Sequence, residues 1–425
     1  MSSINNRTTH ISPPKKRGFY SGRVTFWRHF VVRAIYLAVD LVLLLPLLAL
    51  TLVSRFFPRP IDVGIGPLPS IASRYHKQSL EQYGYRCETF VYHTWYITSD
   101  FDLNISRFCP RAFGPYATYI VCLFRYRCIY TYFNGGPLGF TTLLARCEPF
   151  LFNLAGIKTL VMPFGADIHV LTRSKNLIMV DAFAKDYPGF RHQRRRTAAL
   201  IDIWTHGADY IISGCDWVDY MYYWDTLMLS QFAIDTDAFA VKAPAAAGDL
   251  DEPCKPLRLI HAPNHRALKG TAQILQAVEE LKAEGVAIEM TIVEGIPNDQ
   301  IPALLSAADV VVDQLVLGWY AMFAMEAMAL GKPVVCHIRP QYRDLYTAAG
   351  LIAREELPLI DSSLFSIKET LRDLALRPRS ELREIGRRSR DFVVKHHSLA
   401  VIGEKFDLIN RQLGIPASLQ KSSKP

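Results

Sequence analysis

Between Ala34 and Val53 the chain reads AIYLAVDLVLLLPLLALTLV, with Asp40 its single charge. That is the length, about 20 residues, that a helix needs to cross a hydrocarbon core. It is no cleavable signal, because the run is too long, starts too late, and is followed by Ser54-Arg55-Phe56-Phe57-Pro58-Arg59 where a small-residue cleavage site would stand. A membrane helix is therefore expected over 28–58, and two geometries compete for it. One spans. The other breaks near Pro46, dips into one leaflet and returns, with Asp40 near the headgroups. A proline and an unpaired carboxylate at mid-depth favour the dip.

Basic residues before the run (Arg7, Lys15, Lys16, Arg17, Arg23, Arg28, Arg33) outnumber those just after it (Arg55, Arg59). For a spanning helix this puts the N-terminus in the cytosol and carries the rest of the chain away from it. A re-entrant helix removes the conflict, and so would a type II arrangement in a eukaryotic secretory organelle. Cysteines 87, 109, 122, 128, 147, 215, 254 and 336 form no Cys-x-x-Cys pair and no dense framework. They read as reduced thiols, which favours the cytosolic face of a bacterial inner membrane. Residues 1–27 read as a disordered basic tail. The excess of 48 Lys and Arg over 40 Asp and Glu suits anionic lipid or a phosphorylated ligand, and equally an ordinary solvated surface.

Beyond the apolar run, strand-like and helix-like stretches alternate in two series. The first has Ile61–Gly66 as strand and glycine turn, Ser70–Gln82 as helix and Cys87–Tyr92 as strand. Short strand-like runs follow at Tyr119–Cys122, Ile129–Tyr132 and Thr159–Met162. After VKAPAAAGDLDEPCKP, a linker at 241–256, the second series begins. It has strands at Leu257–Ala262, Ile288–Val293, Val310–Val312 and Val334–Ile338. Helices fall at Thr271–Glu284, Ile301–Ala307 and Ala321–Leu330. Such alternation implies an α/β chain with two doubly wound parallel sheets, an N-terminal domain over 59–240 and a C-terminal one over 257–396. Chemistry in such sheets belongs in the loops beyond the carboxyl ends of the strands.

Three stretches could carry it. In His261-Ala262-Pro263-Asn264-His265-Arg266-Ala267-Leu268-Lys269-Gly270, two cations and a glycine stand between a strand and a helix start, a fit for a diphosphate. The same stretch could be an ordinary loop with solvated cations. In DQLVLGWYAMFAMEAMALGKP, Asp313 to Pro333, Glu326 sits in an apolar helix, where burial needs a partner, either a ligand hydroxyl or a salt bridge. In Phe164-Gly165-Ala166-Asp167-Ile168-His169, an Asp and a His follow a strand, as acceptor contacts or a general base, or as a turn former and its neighbour. The loops with Gly64 and Gly66, and with Gly135 and Gly136, share that strand-end placement on weaker grounds. No Walker loop, Gly-x-Ser-x-Gly elbow or His-Glu-x-x-His helix occurs. Asp235-Thr236-Asp237 reads as a turn, and His396 and His397 as packing residues.

In this order the motifs resemble the retaining glycosyltransferases of family 4, which have the two-domain GT-B fold with domains facing a cleft. The resemblance covers about 60–413. It is most specific in HAPNHRALKGT, in Val293-Glu294-Gly295 and in AADVVVDQL…GWYAMFAMEAMALGKPVV. It implies that Arg266 and Lys269, with Gly270, hold a donor diphosphate, and that Asn264, Glu294, Asp313 and Glu326 contact donor sugar or nucleotide. Asp167, His169 and Glu326 would be catalytic, and the glycine loops would face the acceptor. The helix at 397–413 resembles one that crosses back onto the N-domain, with 414–425 as a tail.

The resemblance implies a hexosyltransferase-like enzyme of polysaccharide biosynthesis. It would use no cofactor and no metal, with a nucleotide-diphosphate sugar as co-substrate. A glycan or lipid-linked acceptor and membrane lipid would be its other partners, and nucleic acid would not be one. One departure stands out. The family commonly carries a glutamate eight residues before the one matched by Glu326, and here that position is Gly318. An inert GT-B module binding a nucleotide-sugar or a partner enzyme is therefore a rival reading, and a sugar-nucleotide epimerase a more distant one.

Overall fold

The computed structural model describes residues 22–94, 100–239, 255–296 and 300–419. Most of the expected linker, most of the basic tail and the last residues lie outside them. Two compact units emerge. The described residues of the first are 22–94, 100–173, 192–233 and 399–419; those of the second are 174–191, 234–239, 255–296 and 300–398.

The first unit opens with helix α1 (Gly22–Ser54), then β1 (Ile61–Ile65), α2 (Ile71–Glu81), β2 (Cys87–Val91) and β3 (Leu103–Asn104). It continues with α3 (Gly114–Arg125), β4 (Tyr126–Tyr132), α4 (Leu144–Ala155) and β5 (Lys158–Met162). After α5 (Leu177–Asp186), which belongs to the second unit, come α6 (Arg194–Gly207), β6 (Tyr210–Ser213) and β7 (Thr226–Leu227). The strands form one parallel sheet in the order β3-β2-β1-β4-β5-β6-β7. Helices cover both faces, so the central strands are near-continuously apolar; in β4 only Arg127 is more than buried.

Local signals set the element ends. Ser70 caps α2 by accepting the Ala72 N–H at 3.2 Å. Gly156, left-handed at φ 72°, stops α4. One expectation fails: Tyr119–Cys122 is no strand but the middle of α3. A short apolar run with β-branched residues does not distinguish the two states, and Pro115 at the helix start supplies the deciding geometry.

The second unit runs β8 (Leu257–His261), α7 (Arg266–Lys269), α8 (Thr271–Ala283), β9 (Ile288–Ile292), α9 (Ile301–Ala307) and β10 (Val310–Val312). Then follow α10 (Met322–Ala329), β11 (Val334–Val335), α11 (Pro340–Ala348), α12 (Ile367–Leu376) and α13 (Arg379–His397). Its parallel sheet has the order β11-β10-β8-β9. The core of this unit joins Leu257, Leu259, Val310 and Val312 of the sheet to Ile274, Val278 and Leu281 of α8. β11 is shorter than its apolar run because the chain turns away: Cys336 N–H bonds Ile360 O and His337 N–H bonds Gln314 O.

Helix α14 (Leu399–Gln412) packs on α2 within the first unit. Gly403 permits the approach, since a Cβ there would lie 2.4 Å from Ser79 O. Tyr85 and Tyr130 hydroxyls donate to Asp407 and Asn410 at 2.8 and 2.9 Å. Helix α1 is fastened to the same unit. Asp40 is fully buried and accepts the Tyr116 hydroxyl at 2.7 Å and the N–H groups of Thr142, Leu143 and Leu144 at 2.9, 2.6 and 3.3 Å. The expectation of an unpaired carboxylate in this run is thus corrected: Asp40 caps α4, whose first N–H groups have no partner within their own helix. Nor does α1 break at Pro46; it is one helix through that residue.

Gly403→Ala overpacks the α2–α14 contact and is expected to cost about 1–3 kcal/mol, read as a lower denaturant midpoint of the purified protein.

Candidate functional site

In the second unit the loop leaving β8 carries most of the expected donor contacts. Its first residue, His261, is fully buried and bonds at both ring nitrogens, to Val312 O at 2.8 Å and to Thr271 Oγ1 at 2.9 Å. Burial pushes its pKa down to about 4, so it is a neutral pillar tying β8 to β10 and α8. Beyond it the backbone makes the short α7 turn and passes through Gly270 at φ 74° into α8. A Cβ at Gly270 would meet Leu364 at 2.7 Å and Leu315 at 3.1 Å, so both conformation and space require glycine.

The structure brings the predicted residues together as two ion pairs. Arg266 donates from Nε and Nη2 to the two carboxylate oxygens of Glu294, each at 2.8 Å. Lys269 pairs with Asp313. They differ in burial. The Arg266 side chain is 51 % exposed, so its pair is worth about 0–1 kcal/mol and can be exchanged for a ligand at small cost. The Lys269 and Asp313 side chains are 10 % and 0 % exposed, and removing one strands the other, at roughly 3–5 kcal/mol. Lys269 Nζ lies 5.9 Å from the ring centroid of Phe323, and Asp313 Oδ2 has no hydrogen-bond partner among the described residues. Asn264 is exposed at the strand end. Glu326 is buried in α10, three residues after Phe323 and hence a neighbour of it on the helix surface.

Gln314 shapes the loop between β10 and α10. Its Nε2 donates to Trp319 O and His337 O at 2.9 and 3.0 Å, and its Oε1 accepts the Val316 and Leu317 N–H groups at 2.8 and 2.7 Å. Within that loop Gly318 has φ 95°, and a Cβ there would lie 2.6 Å from Arg339 Cγ and Cδ. A glutamate fits this backbone only if the loop is rebuilt.

The segment 174–191 belongs to this unit and not, as expected, to the N-terminal one. Asn176 Nδ2 donates to Val316 O at 2.7 Å, Asp186 Oδ2 accepts the Leu268 N–H at 2.9 Å, and the Tyr187 ring sits 4.3 Å from that of His265. Sequence reasoning missed Asp186, since nothing local ties it to a loop some eighty residues on.

In the first unit the expected acceptor-side residues lie at the carboxyl ends of β1, β4 and β5. The loop after β1 and the Asn134-Gly135 turn line one pocket, with Pro67, Pro69, Tyr92 and Phe140 among its walls. Its glycines are required by space: a Cβ at Gly64 would meet the Tyr126 ring at 2.6 Å, and one at Gly66 would meet Phe90 O at 2.1 Å. Gly135 has φ 106°, and Gly136 lies against Glu148, 2.8 Å from its Oε1 by the same test.

Glu148, also missed, is fully buried on α4 and accepts the N–H groups of Gly136 and Leu138 at 3.0 and 2.6 Å. Asp167 does similar work: Oδ1 accepts the N–H groups of Phe164 and Gly165 at 3.1 and 2.9 Å, and Oδ2 that of Phe133 at 3.0 Å. Both oxygens of Asp167 thus serve the two loops around it. His169 is buried, with Nε2 3.3 Å from Asp216 Oδ2 and its ring edge-on to Tyr220. A histidine oriented by a carboxylate is the arrangement that general bases use. Asp216 follows Cys215, a non-glycine residue held at φ 53° after β6, a strained backbone of the kind that clusters at functional sites.

Compared with protein-family models the sequence matches none, and it matches none of the curated proteins. Among solved structures it is similar to sucrose-phosphate synthase from Thermosynechococcus elongatus, with 13 % identity, a TM-score of 0.55, and coverage of 83 % of this chain and 98 % of that one. The fold is GT-B. An alpha-glucosyltransferase in complex with UDP and DNA (11 % identity, 82 % and 99 % covered, TM-score 0.49) superposes more loosely. So does a putative UDP-N-acetylglucosamine 2-epimerase from Listeria monocytogenes (12 %, 85 % and 98 %, TM-score 0.43).

Burial raises the Glu148 pKa from 4.5 to about 8 and that of Asp167 from 3.8 to about 6, against their backbone hydrogen bonds, which lower both. A carboxyl with a raised folded-state pKa holds its proton better in the folded chain. Its contribution to stability is full below the ordinary range and is lost as pH climbs through the raised value. The wild-type melting temperature should therefore fall between about pH 5 and about pH 8.5, and Glu148→Gln should flatten that fall.

Proposed function

We propose that this chain is a membrane-associated glycosyltransferase that moves a hexosyl group from a nucleotide-diphosphate sugar to a glycan or lipid-linked acceptor, with retention. The observation that carries the reading is the loop after β8. An exchangeable Arg266 and a fixed Lys269 converge at the carboxyl end of a parallel strand, on the fold that sucrose-phosphate synthase also has.

In this reading Arg266 leaves Glu294 for the donor diphosphate, while Lys269, held by Asp313, offers its remaining N–H groups to the same charge as it develops on the leaving group. Glu326 meets donor hydroxyls. His169, oriented by Asp216, meets the acceptor, and Asp167 and Glu148 set the loops around it. No cofactor enters, and the two side-chain cations take the role a metal plays elsewhere. The acceptor class follows from location alone, with the catalytic units on the cytosolic face of a bacterial inner membrane.

A second reading, an inert module that binds donor without turnover, is favoured by Gly318. Its positive φ and its contact with Arg339 leave no room for the family's first glutamate, and Asp313, the carboxylate that could replace it, is already bound to Lys269.

Calorimetry with a panel of UDP-, GDP- and ADP-sugars tests donor binding, and nucleotide release with and without extracted membrane lipid tests turnover. Arg266→Ala is expected to weaken donor binding about tenfold or more, as loss of a bidentate charged contact should, with an unchanged melting temperature. Unchanged affinity would remove Arg266 from the site, and binding without release would favour the inert module. Lys269→Ala is the poorer probe, because it also strands Asp313.

A further inference from the structure

The same expectation of a membrane-bound chain leaves open how it is held there, and α1 carries an answer. Its protein-facing residues recur at helical spacing: Asp40, Leu47, Thr51 and Ser54 are buried. Thr51 Oγ1 meets the Tyr119 hydroxyl of α3 at 2.8 Å, and Thr142 Oγ1 donates to Arg33 O at 2.9 Å. From Arg33 to Ser54 the contact runs roughly 30 Å along the first unit, at 1.5 Å per residue, which is the whole thickness of a hydrocarbon core. A helix fastened over that length cannot cross alone. It would drag the irregular backbone at 105–113 and 134–143 into lipid, where its N–H and C=O groups have no water to bond.

Among the described residues the other side of α1 is bare. Ile35, Leu41, Val42 and Leu45 are 57, 59, 74 and 73 % exposed. Phe56, Phe108, Phe113, Phe140 and Phe150, on the loops and helices beside it, are also exposed. The charge around this apolar face has one sign. Residues 30–60, 105–125 and 138–156 contain only two carboxylates, Asp40 and Glu148, both fully buried, whereas Arg33, Arg55, Arg107, Arg111 and Arg146 are exposed.

We propose that α1, with the rims of α3 and α4, is a monotopic docking face for an anionic lipid bilayer. The helix lies in the interface with its bare side submerged and Asp40 turned into the protein, and it does not span. The basic rim sets the preference for anionic lipid, and the apolar side keeps the protein bound at high salt. Asp40 acts here by seating α1 on α4, so the polarity that argues against a spanning helix is the device that holds it flat.

Attachment can be read without any sugar donor, so its failure is separable from failure of the transferase reading. Full-length protein with distinct protease-cleavable tags at its two ends is bound to sealed vesicles. Digestion of both tags from one side is expected, and protection of either would overturn the proposal. Flotation should favour vesicles of phosphatidylcholine with phosphatidylglycerol over phosphatidylcholine alone; equal binding to the two would overturn the role of the basic rim. Leu45→Glu, on the bare side, should lower the bound fraction about tenfold while leaving the melting temperature unchanged. Undiminished flotation of that variant would show that this face does not meet the membrane.

Discussion

Buried carboxylates that accept backbone N–H groups hold the loops of this protein in place. A parallel sheet leaves its chemistry to irregular backbone at the strand ends, and each N–H buried there needs a partner. Asp40 serves the start of α4, Glu148 the glycine turn after β4, Asp167 the turns after β4 and β5, and Asp186 the turn after β8. Asp40, Asp186 and, through Phe133, Asp167 join segments distant in sequence, so these loops are positioned by tertiary hydrogen bonds rather than by their own propensities.

That arrangement explains why the candidate site residues divide as they do. Asp167 and Glu148 spend their oxygens on backbone and act through the loops they fix. His169 is one step removed from such a role, with a carboxylate behind it. In the second unit a different economy holds: the cations are compensated by Glu294 and Asp313, one pair open to solvent and one closed. Each cation would otherwise stand uncompensated, and the partly exposed pair holds the arginine at small energetic cost. The Lys269–Asp313 pair supplies the fixed charge beside it.

Helix α1 shows the same physics on a larger scale. An isolated apolar helix with one aspartate reads as a spanning segment with a fault in it. Seated on α3 and α4, the aspartate becomes a cap, Thr51 meets the Tyr119 hydroxyl, and the apolar side that remains faces outward. The basic rim belongs to segments far apart in sequence, and only their convergence makes it a surface with one sign of charge.

Hydrophobic periodicity alone determined the α/β class and ten of the strand and helix positions within a residue or two at each end, because these follow from spacing along the chain. It misplaced Tyr119–Cys122, where a short apolar run is compatible with either state. Tertiary structure alone decided which carboxylate meets which N–H. Asp40 against α4, Asp186 against Leu268 and Asp216 against His169 each bridge some forty to a hundred residues of chain. It also decided that Gly318 is closed to a larger side chain, because Arg339 occupies the space a Cβ would need. Contacts of that reach have no local signature, since the partner is chosen by the sheet order and by which helix covers which face.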